Sequence, residues 1–391
     1  MIPKPLRLAA CLAIVGLCSH PGRADAQAPP LWNGLSPGVH DVGFRRLWGF
    51  DDTRVWPRSR AIDSLDGVIA RPMRVDVWYP ASCGGRQQRM RLESYVRMEA
   101  PDEVFEDLVF LTRRWDEYSY RGLAGDSTLF DRLMATQTAA CSEAPPAPGR
   151  FPLVLYSGGW FNRAPDNTIL AEYLASHGFV VASVPQLNPG LWTYNFQSDA
   201  PSVENQVRDL EFALGLLAAH AMVDRRHIAS MGYSTGGDVA LLLQGRNVLV
   251  RAVIGLDASW SLGPNNDVVS SPFFQPARHR VPVLAARRPI RGMRQADEVL
   301  DSLSFAPRVV VEIPGSDHGS FSDDPAQRHL LGTDRAEHVA THRIVAHTVL
   351  EFLRVMLEGR ERFDGAALAK SYRDRGLVGT FRPPVPAPVI E

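Results

Sequence analysis

Cysteine, net charge and long apolar runs are all scarce in this sequence of 391 residues. Its 42 Lys and Arg nearly balance its 43 Asp and Glu, so the formal net charge is −1. A protein without a strong field of one sign is not drawn to DNA or to an anionic surface, and we expect no nucleic-acid partner. The N-terminal apolar run, residues 8–18, is much shorter than the roughly 20 residues that span a bilayer. No stable membrane anchor is expected from it.

The first 26 residues have the layout of a cleavable signal peptide. Lys4 and Arg7 precede the apolar run, and the small-residue site Ala24-Asp25-Ala26 follows it. A basic segment, an apolar segment and an A-x-A site in this order predict export and removal of residues 1–26. The alternative is a membrane anchor, for which the run is too short. We therefore expect a secreted or periplasmic protein.

Two of the four cysteines, Cys11 and Cys18, fall inside this predicted signal peptide. Cys83 and Cys141 remain, and an exported protein with two cysteines favours a disulfide between them. The chain-entropy model gives such a bridge a stabilisation of about 4 kcal/mol. The alternative is two buried thiols that are not joined.

After residue 150, apolar strands alternate with amphipathic helices. Strands are predicted at 153–156, 179–184, 227–232, 251–256, 281–286 and 309–313, after an earlier one at 75–79, and helices at 168–177, 202–220, 235–243 and 333–358. Nearly continuous apolar strands that alternate with helices indicate an α/β fold, with a mostly parallel central sheet and helices on both faces. We expect residues 27–391 to form one domain.

The segment at about 84–150 interrupts this alternation. Apolar residues at 104, 108, 111 and 115 recur at helical spacing, and a proline-rich run at 145–149 ends the segment. Because Cys83 and Cys141 bracket it, we predict a helical insertion that is tied at its base. Surface packing and a lid that contacts substrate are both open roles. A further proline-rich stretch, 382–391, is predicted to be extended.

One short motif carries the chemistry. Gly232-Tyr233-Ser234-Thr235-Gly236 matches G-x-S-x-G, and it lies between the predicted strand 228–231 and an apolar helical run at 239–243. This strand–turn–helix setting predicts a nucleophile elbow that exposes the Ser234 hydroxyl. An ordinary small-residue turn is the alternative.

A serine nucleophile needs a base and an acid that orients the base. The order serine, acid, histidine places the histidine after the last strand, where His318 lies in the loop 315–321. The acid is Asp257, which directly follows a buried strand, or Asp297, which follows the next one. We favour Asp257, because Asp297 sits in a polar run typical of a solvated helix start.

The oxyanion of an acyl-transfer reaction needs two backbone N–H donors. The first predicted donor is Thr235, directly after the nucleophile. The second comes from the loop 157–160, with Trp160 preferred and Gly159 as the alternative.

Aromatic residues crowd the segments expected around the mouth of such a site. Phe161, Trp192 and Trp260 are predicted to contact an apolar acyl or aryl group of the substrate. The sequence contains no phosphate-binding glycine loop, no dinucleotide fingerprint and no metal-ligand spacing. We therefore expect neither a cofactor nor a metal.

These motifs resemble the α/β-hydrolase group that contains plasma-type platelet-activating factor acetylhydrolase and dienelactone-hydrolase-like proteins. The matching pieces span residues 71–325 and include the elbow, the loop 157–160, the segment 255–258 and the loop 317–321. The resemblance implies the α/β-hydrolase fold, Asp257 as the acid and Trp160 in the oxyanion hole. Gly158 replaces the histidine common in the family's oxyanion loop, Tyr233 replaces the histidine often found before the nucleophile, and the insertion has no counterpart.

The residues and the resemblance together predict a carboxylic-ester hydrolase that acts on a small-molecule ester. An amidase, a peptidase or an acyltransferase could use the same triad. A binding protein without catalysis is a third possibility, although it has no need of all three residues in order.

Overall fold

The computed structural model describes residues 28–57, 68–84, 88–160, 165–187, 199–261, 267–289, 297–334, 336–358 and 363–386. The predicted signal peptide and the end of the proline-rich tail lie outside these ranges. In the described part of the chain, no helix is both long enough and apolar enough to cross a membrane.

Eleven strands of the described residues form one sheet in the order β11-β10-β9-β8-β7-β5-β6-β2-β1-β4-β3. They are β1 (Asp41–Pro57), β2 (Val68–Ala81), β3 (Arg89–Arg91), β4 (Gln137–Ser142), β5 (Phe151–Ser157), β6 (Val180–Ser183), β7 (Val223–Tyr233), β8 (Val250–Leu256), β9 (Val283–Arg287), β10 (Arg308–Glu312) and β11 (Val378–Arg382). The six central strands, from β6 to β10, are parallel. Antiparallel neighbours, β2 and β11, flank them.

Helices cover both faces of this sheet. They are α1 (Glu93–Val96), α2 (Glu106–Ala124), α3 (Ser127–Met134), α4 (Thr168–Ser176), α5 (Ala200–Ala218), α6 (Thr235–Arg246), α7 (Asp267–Ser270), α8 (Glu298–Ser302), α9 (Asp324–Leu331), α10 (Ala336–Leu353) and α11 (Gly365–Asp374). Along β5, Val154 packs in a core with α4 and α10, whereas Leu153 and Leu155 pack in a core with α5 and α6. Side chains of a strand alternate between faces, so both faces are buried. The predicted mostly parallel sheet with helices on both faces is confirmed.

The segment predicted as a helical insertion contains α1, α2 and α3 and also two strands, β3 and β4, that the sequence did not indicate. β4 pairs in parallel with β1, which extends the sheet beyond its central parallel strands. Residues at the end of the segment pair with the end of β2, since Ser82 N–H donates to the Pro145 carbonyl at 3.0 Å. The segment is therefore both a helical excursion and part of the sheet edge.

Cys83 and Cys141 are joined at the base of this segment. Their Cα atoms are 6.3 Å apart and 58 positions separate them in the chain. Cys141 lies on β4 and Cys83 follows β2, so the bridge links two strands that both pair with β1. It joins the start of the segment to β4 near its end, and the pairing is the one that the sequence favoured.

Buried ion pairs fasten β1 and β2 to α5. The Asp209 carboxylate on α5 accepts hydrogen bonds from Arg71 on β2 at 2.9 and 2.8 Å. Arg54 on β1 pairs with the same carboxylate at 2.6 Å. All three side chains are nearly inaccessible to water, and charges can remain there because each has a partner.

Candidate active site

Ser234 occupies the sharp turn between β7 and α6. Its backbone has φ 53° and ψ −124°, in the left-handed region that residues other than glycine rarely adopt. Two backbone hydrogen bonds fix this turn: Ser234 N–H donates to the Leu256 carbonyl at 3.0 Å, and Ser259 N–H donates to the Ser234 carbonyl at 3.1 Å. The strained residue is thus held by strand β8 and by the segment that follows it.

The glycines around Ser234 are required by close backbone approach. A Cβ at Gly232 would lie 1.8 Å from the Gly236 carbonyl oxygen, and one at Gly237 would lie 2.3 Å from the Ala258 methyl group. A Cβ at Gly236 would lie 2.2 Å from the Ser157 carbonyl oxygen at the end of β5. The G-x-S-x-G pattern therefore lets the elbow pack directly on the neighbouring strand ends.

Three side chains predicted to form the triad meet at the carboxyl ends of the parallel strands. His318, in the loop after β10, has its Nε2 atom 3.1 Å from Ser234 Oγ. Its Nδ1 atom is 2.5 Å from Asp257 Oδ2 at the end of β8. Asp297, the other acid considered, instead pairs with Arg287 and Arg382 beside β9 and β11. The distances thus link Ser234, His318 and Asp257 in one chain of hydrogen bonds.

Asp257 is held by more than the histidine. Its side chain is 6% exposed, and its backbone has a φ of 41°. Arg288 N–H donates to Oδ1 at 3.1 Å, and the Arg288 guanidinium lies 3.3 Å from Oδ2. The carboxylate is therefore fixed by donors on both oxygens. Arg288 was not identified from the sequence, although its position just after β9 is one where ligand-facing residues of parallel sheets occur.

Tyr233, the residue before Ser234, contacts His318. Its ring centroid lies 4.8 Å from that of His318, with 30° between the ring planes. Its hydroxyl donates to the His318 backbone carbonyl at 3.1 Å. Burial, together with nearby carboxylates such as Asp166, raises the pKa of Tyr233 well above its ordinary value, so the phenol remains a donor. Sequence reasoning noted this tyrosine as a departure from the family and missed the contact.

The histidine loop is shaped by its own side chains. The Asp317 carboxylate accepts the Ser320 N–H at 2.9 Å and the Ser320 hydroxyl at 2.8 Å. Burial alone would raise the pKa of Asp317, but these hydrogen bonds outweigh it and lower the pKa. The ionised carboxylate thus closes a tight turn over residues 317–320, and His318 lies within this turn.

The loop predicted to supply the second oxyanion donor packs against the elbow. Both Ser157 and Gly158 carbonyls lie within 2.4 Å of a Cβ placed on Gly236, which shows how closely loop and elbow approach. Thr235, the first predicted donor, is buried, and Trp160 is half exposed at 50%. The Gly158 carbonyl accepts a hydrogen bond from Gln186 Nε2 at 2.6 Å. Gln186 was another residue that the sequence did not single out.

Of the three aromatic residues predicted to contact the substrate, the structure describes one. Phe161 and Trp192 lie outside the described residues. Trp260 is 2% exposed, and its ring lies 2.6 Å from a Cβ placed on Gly255, so its side chain packs in the core beneath β8. Contact of these three aromatics with a substrate remains a prediction.

No protein-family model matches the sequence, and no curated protein matches it. Among solved structures, a ferulic acid esterase from Streptomyces cinnamoneus matches with a TM-score of 0.61 and 22% sequence identity. The match covers 87% of this chain and 96% of that one. The likeness to platelet-activating factor acetylhydrolase therefore remains a prediction at the level of the family. The mixed sheet, its helices and this structural likeness show that the chain has the α/β-hydrolase fold.

Proposed function

We propose that the protein is a serine hydrolase that cleaves carboxylic esters through an acyl-enzyme intermediate. The observation that carries the proposal is the chain of hydrogen bonds from Ser234 through His318 to Asp257, at 3.1 and 2.5 Å. A serine hydroxyl is a weak nucleophile at neutral pH, and a histidine within hydrogen-bond reach activates it. An esterase is also what the solved structure with the same fold is called.

The proposed reaction has two halves. Ser234 Oγ attacks the ester carbonyl while His318 Nε2 takes the hydroxyl proton, and His318 then returns that proton to the leaving alcohol. Asp257 holds the imidazole and stabilises the imidazolium that forms in between. Water, activated by His318, then attacks the acyl-enzyme and releases the carboxylic acid with Ser234 restored.

We assign the oxyanion donors to Thr235 N–H and Trp160 N–H. Donors of this kind stabilise negative charge where it develops, and each contributes about 10²–10³ in kcat. Thr235 follows Ser234 directly, and Trp160 ends the loop 157–160, whose first two carbonyls pack against Gly236. Fixed donors beside the nucleophile are what an acyl transfer requires.

The substrate is proposed to be a small-molecule ester with an apolar acyl or aryl group. Half-exposed Trp160 and the predicted contacts Phe161 and Trp192 would supply aromatic surface. A ferulate ester is one candidate, since the structural neighbour is a ferulic acid esterase. The disulfide between Cys83 and Cys141 supports export to a secreted or periplasmic location, where disulfides persist.

The test is hydrolysis of p-nitrophenyl esters from acetate to long acyl chains, together with methyl ferulate. Ser234→Ala should abolish the activity, and Asp257→Asn should lower kcat by about 10⁴-fold. Asp297→Asn is the matched control, because it makes the same chemical change at the acid that pairs with arginines, and it should stay within several-fold of the wild type.

Equal activity of the wild type and Ser234→Ala contradicts the assignment of the nucleophile. A large loss in Asp297→Asn with none in Asp257→Asn contradicts the assignment of the acid. If the wild type cleaves amides and no ester, the amidase function replaces the esterase. If the wild type cleaves neither esters nor amides and no serine-directed probe labels it, a binding protein without catalysis replaces the esterase as the proposed function.

A further inference from the structure

Gln186 connects the ends of two neighbouring parallel strands. It lies three residues past the end of β6, is 3% exposed, and donates from Nε2 to the carbonyl of Gly158 at 2.6 Å. Gly158 follows β5 and belongs to the loop that packs on the elbow. The next residue, Leu187, is buried in a cluster with Leu108 and Leu111 of α2, which fixes the backbone of Gln186 in turn.

The bond from Gln186 determines how the loop presents its N–H groups. The described peptide bonds are all trans, and in a trans peptide the carbonyl and the following N–H point in opposite directions. Fixing the Gly158 carbonyl therefore fixes the direction of the Gly159 N–H and the starting point of the next peptide, which carries the Trp160 N–H. Two consecutive glycines have no side chains to restrict rotation, so such a loop needs a restraint from outside. The Ser157 hydroxyl also reaches this carbonyl, but at 3.4 Å.

Stability does not explain the amide at position 186. Its Oε1 atom is buried and has no hydrogen-bond partner among the residues that the structure describes, which is costly for a polar atom. An apolar side chain of similar shape would avoid this cost. Only the donor end of the amide is used, and it is used on the Gly158 carbonyl.

We infer that Gln186 is a positioning residue that holds the Gly158–Gly159 peptide in the orientation needed for the oxyanion donors. The inference rests on the proposed serine-hydrolase function. The inference predicts that loss of Gln186 destabilises the transition state and not the bound substrate. A misdirected donor weakens binding of the oxyanion and leaves binding of the ground-state ester almost unchanged.

A second buried glutamine provides a matched control. Gln206 on α5 is fully buried, and its Nε2 donates to the Val184 carbonyl at 3.4 Å. Within the described ranges its Oε1 also has no partner. It bonds to the same connecting segment as Gln186 but not to the oxyanion loop. Gln186→Met and Gln206→Met therefore make the same chemical change in similar surroundings, and only the first releases the Gly158 carbonyl.

The experiment measures kcat and KM for p-nitrophenyl acetate and the inhibition constant of an alkylboronic acid, which forms a tetrahedral adduct on the active-site serine. Gln186→Met should lower kcat by about 10- to 100-fold with KM nearly unchanged, because a misdirected oxyanion donor loses part of its 10²–10³ contribution. The boronic acid should bind more weakly by the same factor. Gln206→Met should stay within about threefold of the wild type in both measurements.

A second variant, Gln186→Asn, tests the same inference if Gln186→Met does not fold. Gln186→Asn keeps the amide and withdraws it by one methylene, about 1.5 Å, so that it cannot make the same bond. Equal kcat and boronic acid affinity in the folded position-186 variant and in Gln206→Met overturn the inference. A wild type that hydrolyses no ester overturns the proposed function instead, so the two failures are distinguishable.

Discussion

Replacing Gly236 by alanine tests whether the elbow and the oxyanion loop are packed as tightly as their backbones indicate. The new Cβ would lie 2.2 Å from the Ser157 carbonyl oxygen and 2.4 Å from that of Gly158. Ordinary contact of these atoms begins near 3.4 Å. The loop or the start of α6 must therefore move by about 1 Å, since backbone atoms cannot rotate away like the end of a side chain.

A displacement of this size has a calculable effect. Misplacing catalytic groups by about 1 Å costs roughly 100-fold in rate, so kcat/KM of Gly236→Ala for p-nitrophenyl acetate should fall by about that factor. Overpacking should also lower the free energy of unfolding by about 1–3 kcal/mol. Urea denaturation at 25 °C measures the second quantity and shows that the rate loss is measured on folded protein.

Gly215→Ala is the control for this substitution. Gly215 lies within α5, and no atom of the described residues lies within 4 Å of a Cβ placed there. Alanine is favoured over glycine in a helix by about 1 kcal/mol, so this variant should be slightly stabilised and fully active. Wild-type kcat/KM and wild-type stability in Gly236→Ala refute the argument from close packing.

Three further predictions concern the histidine, pH and the disulfide. Tyr233→Phe keeps the ring against His318 but removes the hydrogen bond from the Tyr233 hydroxyl to the His318 carbonyl. In steady-state assays kcat should fall several-fold with KM unchanged. An unchanged kcat contradicts a role of the hydroxyl in holding His318. Burial lowers the pKa of His279 to about 4. The unfolded chain takes up this proton near pH 6.5, so the free energy of unfolding should decrease by about 3 kcal/mol as pH falls from 6.5 to 4. In urea denaturation at several pH values, His279→Gln should not show this decrease. The same pH dependence of stability in the wild type and in His279→Gln contradicts the prediction. Cys83→Ala/Cys141→Ala should lose about 4 kcal/mol of stability in urea, whereas intact-mass analysis that finds two free thiols in the wild type rules out the bridge.

The central strands and the elbow could be predicted because their signals are local. A buried parallel strand is apolar along its whole length, and the elbow needs its glycines within a few residues of Ser234. The choice of Asp257 over Asp297 also came from a local feature, the apolar strand before it. The structure brings Asp257 to His318 and pairs Asp297 with arginines.

Strand β1 could not be predicted in the same way. It carries charged residues that are typical of an exposed loop, and their partners are remote in sequence: Arg46 pairs with Asp76 and Arg54 with Asp209. Burial of these arginines depends on the fold being formed. A residue-by-residue reading of hydrophobicity therefore gives no sign of the strand.

The residues that support the site were missed for a related reason. Gln186 and Arg288 lie on different connecting segments and act on Gly158 and Asp257, which are far from them in the chain. Their only sequence signal is a polar residue just past the carboxyl end of a parallel strand. That signal identifies a position in the fold and not the atom that the side chain contacts.

The left-handed backbone of Ser234 has a consequence for engineering this protein. A residue other than glycine held there stores roughly 1–3 kcal/mol of strain, which a glycine would release. The Ser234→Gly chain, which lacks the proposed nucleophile, should therefore be more thermostable than the wild type. Directed evolution that screens for melting temperature alone would reward loss of the proposed nucleophile, so turnover has to be part of every round of selection.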